Sequence, residues 1–317
     1  MTTRSGARRL SPGHAPELGL THRLLGRFHV TGVFWYQSPH WAFTHLPLWV
    51  ESAAVGLFTT FFFVTLGRIR KAIPANLQPV LGPARLWERW RRSYRTMVEF
   101  AWCMTERYRR LASPELFASM LEGEENWREA MATGRGAILV TAHVGPWEVA
   151  SAYGSAAAGR RTHVVREREI DPRAQKFMEE ILARAGSDYV THFAGDDVTL
   201  SFELAEALRR GELVALQGDR PREGGRSLVA TLFGRPMPLP VGPAALARAT
   251  DVPILPVFNF RERRFVTRTV VRPAIHVART EDREADIAEA VHRIASEIEW
   301  AIRYRPHQWF CFRRLWD

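Results

Sequence analysis

From Gly136 onward, short apolar runs alternate with longer stretches of helical periodicity, and few folds accommodate that alternation. The runs Ala137 to Thr141, Thr162 to Arg166, Leu213 to Gln217, Ile254 to Phe258 and Phe265 to Val271 read as strands. Helical patterns fill the gaps at about 146–157, 172–185, 198–210 and 242–250, and a long one covers about 283–303. Strands separated by helices need crossover connections, which build a parallel or mixed sheet with helices on its faces. The expected fold class is therefore α/β, a mixed, mostly parallel sheet flanked by helices. In such sheets ligands bind in the crevice beyond the carboxyl ends of the strands.

One of those strand ends carries a candidate general base. In the segment AILVTAHVGPWEVAS the run Ala137 to Thr141 is followed by His143, the turn-forming Gly145-Pro146, and Glu148 in the first turn of the next helix. A histidine with a carboxylate nearby is a compact base and orienting partner. The spacing alone says little. The chain holds 11 His and 34 Asp+Glu, and the same spacing occurs at His192/Asp197, His276/Glu281 and His292/Glu297. His292/Glu297 lies in a continuous helical pattern, where five residues advance about 500° and the side chains diverge. His192 and His276 lack the strand-turn-Pro-helix context. Only His143/Glu148 has local geometry that could bring both groups to one point; the plain alternative is a capping or core histidine.

The amino-terminal half reads differently. Residues 1–45 are poorly patterned, with no apolar segment of the kind a cleavable signal peptide needs, and 46–131 read as helical, broken at Pro74, Pro79 to Pro83 and Ser113-Pro114. Ser113 and Pro114 look like the cap and first position of a helix through Leu121. The domain expectation is an extension over 1–45, a helical membrane-associating region over 46–131, and a core over 132–317 that forms one domain with 84–131. Ser52 to Leu66 is a run of fifteen uncharged residues including Phe61-Phe62-Phe63, short of the ~20 that span a bilayer. It suits a membrane-embedded or interfacial helix, or else a buried core helix. Residues 68–110 carry eleven Arg/Lys against three Glu, interleaved with Trp and Tyr, within a chain of formal charge +10. Such a stretch suits an anionic membrane surface or nucleic acid, or is a solvated helix face.

Several chemistries are excluded. No P-loop, GxGxxG, GxSxG or HExxH pattern occurs, and Cys103 and Cys311 make neither a metal set nor a disulfide framework. Two turn segments remain as companions to His143. Gln217-Gly218-Asp219-Arg220 follows a strand, so Asp219 and His143 could meet across one crevice. Phe233-Gly234-Arg235-Pro236 precedes Gly242-Pro243, which opens a helix whose free N–H groups could face an anion. Each of these charges, taken alone, is equally readable as an ordinary loop residue.

Taken in order, HVGPWE, the QGDR turn, FGRPMPLPVGPAALARATDVPILPVF and RYRPHQWFCFRRLW resemble the bacterial lipid A biosynthesis (lauroyl/myristoyl) acyltransferases. That family lies within the lysophospholipid acyltransferases carrying an HxxxxD/E motif, and the resemblance covers about residues 50–316. It implies a glycerolipid acyltransferase-like fold and an O-acyltransferase that moves a fatty acyl chain from an acyl thioester to a lipid or glycolipid hydroxyl, with no covalent acyl-enzyme. His143 would be the base and Glu148 its orienting carboxylate; Arg166, Asp219, Arg220, Arg235 and Gly242 would hold substrate. The donor would be acyl carrier protein or acyl-CoA, with no cofactor, no metal and no nucleic-acid partner. The location implied is the cytoplasmic face of a bacterial inner membrane, peripheral or with one N-terminal membrane-embedded helix. Many lipid A enzymes carry an acid where this chain has Gln217, which bears on the acceptor more than on acyl transfer. The competing expectation is a non-enzymatic basic protein that binds membrane surfaces or nucleic acid through residues 68–110.

Overall fold

The computed structural model describes residues 32–147, 159–184, 189–193, 198–222 and 224–316. Four helices come first: α1 (Phe34–His45), α2 (Leu48–Thr65), α3 (Gly67–Leu81) and α4 (Leu86–Ala112). There follow β1 (Ala118–Glu122), α5 (Glu124–Ala132), β2 (Ala137–Thr141), β3 (Thr162–Arg166), α6 (Pro172–Arg184), β4 (Tyr189–Phe193), α7 (Val198–Arg209) and β5 (Leu213–Gln217). A hairpin of β6 (Ser227–Leu232) and β7 (Arg235–Pro240) leads to α8 (Gly242–Thr250), β8 (Ile254–Arg263), β9 (Val266–Val271) and α9 (Arg283–Tyr304).

Seven strands form one sheet in the order β1-β9-β8-β2-β5-β3-β4. All neighbours are parallel except β8 and β9, so the sheet is mixed and mostly parallel, as the alternation of runs implied. β2 lies near the centre and is buried along its whole length, which is why it reads as a continuous apolar run. Its side chains alternate between two cores. Ile138 and Val140 join α9, while Ala137 and Leu139 join Trp127 and Ala130 of α5. α9 buries Val291, Ile294, Ala295, Ile298, Ala301 and Ile302, the spacing of one helical face. A fully buried Ile contributes roughly 1.5–3 kcal/mol, so this face is a main fastening of the sheet. Asp282 starts the helix by accepting from the amides of Glu284 and Ala285 at 3.1 and 3.0 Å.

The amino-terminal half departs from expectation at four places. Residues 34–45, read as unpatterned, form α1. Residues 118–122, read as helix, form β1, an exposed edge strand parallel to β9; Pro114–Leu116 makes only a single 3-10 turn before it. Periodicity alone cannot separate a short mixed run from a helical turn, and the open edge of β9 decides the matter by offering backbone partners. α3 runs through Pro74 and Pro79, where a break was expected. Pro74 has no N–H for the carbonyl of Arg70, and Ser93 Oγ of α4 donates to that oxygen instead, at 3.1 Å. Finally, Ile73 and Leu77 of α3 share a buried cluster with Ile138 and Val140, so the core takes in residues before 84 as well.

α2 is the one helix among the described residues long and apolar enough to cross a membrane by length and composition. One side of it is fixed to the protein. Glu51, 1% exposed, accepts from Arg109 Nε at 2.6 Å and from Arg264 Nη2 at 2.5 Å, and Val55 and Thr59 continue that buried side. Trp49, Leu57, Phe58, Phe61 and Val64 are exposed on the remainder.

Candidate active site

β2 and β5 are adjacent and parallel, with Thr141 opposite Gln217. Two residues past each strand end stand His143 and Asp219, so strand register alone places them side by side. Their side chains meet: His143 Nδ1 and Asp219 Oδ1 are 2.7 Å apart. The pairing requires Gly218, because a Cβ there would come within 2.8 Å of Val140 Cγ1 and close to Ile294 and Ile298 of α9. The Gly218 amide also donates to Thr141 O at 2.8 Å, tying the two strand ends together.

Asp219 is 2% exposed, while the His143 side chain is 22% exposed. Burial by itself would push the Asp219 carboxyl up, but the charges of His143 and Arg220 and their hydrogen bonds more than offset it and hold the group well below the usual carboxylate range. Arg220 donates from Nε and Nη2 to Asp219 Oδ2 at 3.2 and 3.0 Å, and from Nη2 to Phe310 O at 3.1 Å. An ionised Asp219 accepts a hydrogen bond from Nδ1–H, which fixes the tautomer and leaves Nε2 as the basic nitrogen. The couple therefore amounts to an imidazole base aimed by a buried carboxylate, which is aimed in turn by a guanidinium.

The turn that carries His143 is clamped by residues far along the chain. Phe310 N donates to His143 O at 2.9 Å, and Gly145 N donates to Gln308 O at 2.8 Å. Gly145 has φ +56°, and a Cβ on it would sit 2.2 Å from Asn259 O, so the position demands glycine. Gln308 locks onto β8, with its Oε1 accepting from Arg261 N at 2.9 Å and its Nε2 donating to Arg261 O at 2.7 Å. Trp147 lies beside the His143 ring at 5.4 Å and beside Phe310 at 5.9 Å between centroids, making an aromatic wall.

Of the residues singled out in the sequence, the structure brings together His143, Asp219 and Arg220. Glu148 and the helix expected over 146–157 lie outside the described residues from 148 on. Arg166 ends β3, and the pairing of Val164 with Ala215 puts it level with Gln217 at the same sheet edge. Gly242 begins α8, which runs back to the start of β8, so the helix amino terminus lies at the carboxyl edge of the sheet. Arg235 stands over the Trp316 ring, 5.8 Å from its centroid. Sequence reasoning missed the contributions of Trp147, Gln308 and Phe310. The signal for them was their place in the HVGPWE and RYRPHQWFCFRRLW segments, which carry the family resemblance without giving these residues a role.

A mixed α/β sheet with a histidine–carboxylate couple at adjacent strand ends puts the candidate site at the carboxyl edge of the sheet. The profile of the bacterial lipid A biosynthesis acyltransferases matches residues 26–317, and the chain belongs to that family. It is 27% identical over 207 residues to a phosphatidylinositol mannoside acyltransferase of Mycobacterium tuberculosis strain H37Rv, covering 62% of this chain and 60% of that one. The protein of the same name from strain CDC 1551 matches equally. The chain thus aligns with about 60% of the length of these relatives. Among solved structures, the 1-acyl-sn-glycerophosphate acyltransferase of Thermotoga maritima is 15% identical, with 81% of this chain and 99% of that one covered, at a TM-score of 0.36. A likeness that loose carries no argument.

Proposed function

We propose that the protein transfers a fatty acyl chain from an acyl thioester, borne by acyl carrier protein or CoA, to a hydroxyl of a membrane lipid or glycolipid. The reading is supported by family membership and carried by one observation, the His143–Asp219 couple at the sheet's carboxyl edge. His143 Nε2 takes the proton of the acceptor hydroxyl while Asp219 steadies the imidazolium. The oxygen attacks the thioester carbonyl. Collapse of the tetrahedral intermediate expels the thiolate, which takes the proton back from His143. Each bond made or broken is accounted for with no acyl-enzyme, no metal and no cofactor beyond the donor. Glu148, five residues past His143, supplies further negative charge for the imidazolium in this scheme. In this scheme Arg166 and the amino terminus of α8 at Gly242, both at the carboxyl edge of the sheet, would meet phosphate or carbonyl oxygens, with Arg235 at the start of β7.

The curated relatives are named for a mannosylated phosphatidylinositol acceptor, and a glycosylated phospholipid is the acceptor class proposed here. The protein would work from the membrane surface, the exposed side of α2 lying in the boundary between headgroups and acyl chains. The test is turnover of an acyl thioester with lipid acceptors in vesicles. His143→Ala in a folded protein should lower kcat by about 10²–10⁴-fold, and a chelator should leave the wild-type rate unchanged. Full activity of His143→Ala would end the proposal.

A further inference from the structure

α3, the beginning of α4 and the segment 312–314 enclose a cavity of about 1040 Å³ whose wall includes neither His143 nor Asp219. Arg68, Arg70 and Lys71 reach it from α3, Arg89 and Arg92 from α4, and Arg313 and Arg314 from the last segment; no Asp or Glu lines it. Among the described residues none of these seven cations is paired with a carboxylate. Three serve backbone carbonyls: Arg70 Nη1 donates to Phe63 O at 2.7 Å, Arg92 donates to Gly82 O at 2.7 Å and Leu81 O at 3.0 Å, and Arg314 Nε donates to Trp316 O at 2.9 Å. Arg68, Lys71, Arg89 and Arg313 are exposed, and among the described residues no carboxylate compensates their charges.

Two features show that the positive charge is concentrated against ordinary preference. α3 has no acidic residue in its first turn and gathers Arg68, Arg70 and Lys71 near the positive end of its dipole, where cations are disfavoured. Nearby, His307 is pushed down to about 4, by burial first and then by Arg95, Arg92 and Arg91. An anion in the cavity would offset the first and the Arg92 share of the second. Guanidinium forks and an ammonium suit a phosphate.

The place of the cavity selects the source of that phosphate. α3 follows α2 after Leu66, and Arg70, which bonds the last carbonyls of α2, stands over Phe63 at 5.4 Å. Trp90, half exposed, lines the cavity, and Trp87 is exposed one turn before it, as amphipathic rings are at a lipid interface. With the apolar side of α2 seated in the acyl boundary, the cavity stands at headgroup depth. We propose that it binds the phosphate of an anionic membrane phospholipid and so holds the enzyme on anionic membrane. This rests on the membrane-surface part of the function proposed above and is independent of the chemistry at His143.

The test is sedimentation of the full chain with phosphatidylcholine vesicles, with and without phosphatidylglycerol. The variant Arg68→Gln/Lys71→Gln/Arg89→Gln should bind phosphatidylglycerol vesicles on the order of 100-fold more weakly, about fivefold per cation, and bind pure phosphatidylcholine like the wild type. Arg68→Lys/Arg89→Lys should retain most of the affinity, and unchanged thermal midpoints show that each variant is folded. The proposal is overturned if the triple Gln variant binds both vesicles as the wild type does. It is overturned equally if removing three distant charges, as Arg128→Gln/Arg209→Gln/Arg293→Gln, causes the same loss. Full competition by inorganic phosphate, at a concentration equal to the lipid phosphate, would mark a free-anion site and also overturn it. His143→Ala should bind vesicles normally while losing turnover, so failure of the catalytic reading and failure of this one are separable.

Discussion

At the scale of single residues, the site turns on which group holds Nδ1 of His143. The nearest carboxylate in sequence is Glu148; among the described residues the carboxylate in contact is Asp219, 76 residues away. Asp219→Asn keeps the volume but can present a donor where an acceptor is required. It should lower kcat by on the order of 10²–10⁴-fold with little change in KM, in the same vesicle assay. Asp219 also makes a pH prediction. Its folded pKa is depressed, so its contribution to stability is complete above the ordinary carboxylate value of about 4 and is lost as pH falls through the depressed one. In urea melts the wild type should therefore lose stability relative to Asp219→Asn as pH drops below about 4. A gap between the two curves that stays constant from neutral pH to pH 2 would refute this.

At the scale of elements, α2 carries two faces with different tasks. Phe58 and Phe61 are exposed, whereas Phe62 and Phe63 pack on the core, Phe63 edge-on against Tyr94 at 5.3 Å. Phe58→Ser/Phe61→Ser should release the protein from phosphatidylcholine vesicles and leave the thermal midpoint within a few degrees. Phe63→Ser should instead lower stability by about 2–4 kcal/mol. From the sequence the three consecutive phenylalanines were one run, since nothing in it says which side α4 covers. β2, β3, β5 and α8 were legible to the residue: β2 and β5 are mostly apolar runs that follow Gly136 and Glu212, β3 is rich in β-branched residues, and α8 opens at Gly242-Pro243. β1 was not, because ASMLE lacks the β-branched enrichment of a strand and its pairing partner lies 148 residues on at Val266. The His–Asp contact was half legible. Both residues were seen to follow strands, but only the order of strands in the sheet says that those strands are neighbours.

At the scale of the whole molecule, Glu51 joins the apolar helix α2 to the rest. Its carboxylate sits between Arg109 of α4 and Arg264 of the β8–β9 turn, and Arg109 and Arg264 also bond the carbonyls of Leu46 and Leu48. Removing one partner of a buried ion cluster leaves the others desolvated and unpaired, so Glu51→Ala should cost about 3–5 kcal/mol in chemical denaturation. A loss below 1 kcal/mol would mean that the cluster is solvated in solution. The clamp on the His143 turn has a consequence for how the protein comes to life. Phe310 and Gln308 reach back more than 160 residues to hold His143 and Gly145, and every strand of the central sheet except β1 is threaded between those ends or set beside them. A chain can thus acquire most of its helix and sheet and still have no working turn. Activity should be the last signal to return on refolding and the first to vanish on partial unfolding. Under the proposed function the protein would stay silent until its architecture is complete, and an immature copy would dock on a membrane without acting on it.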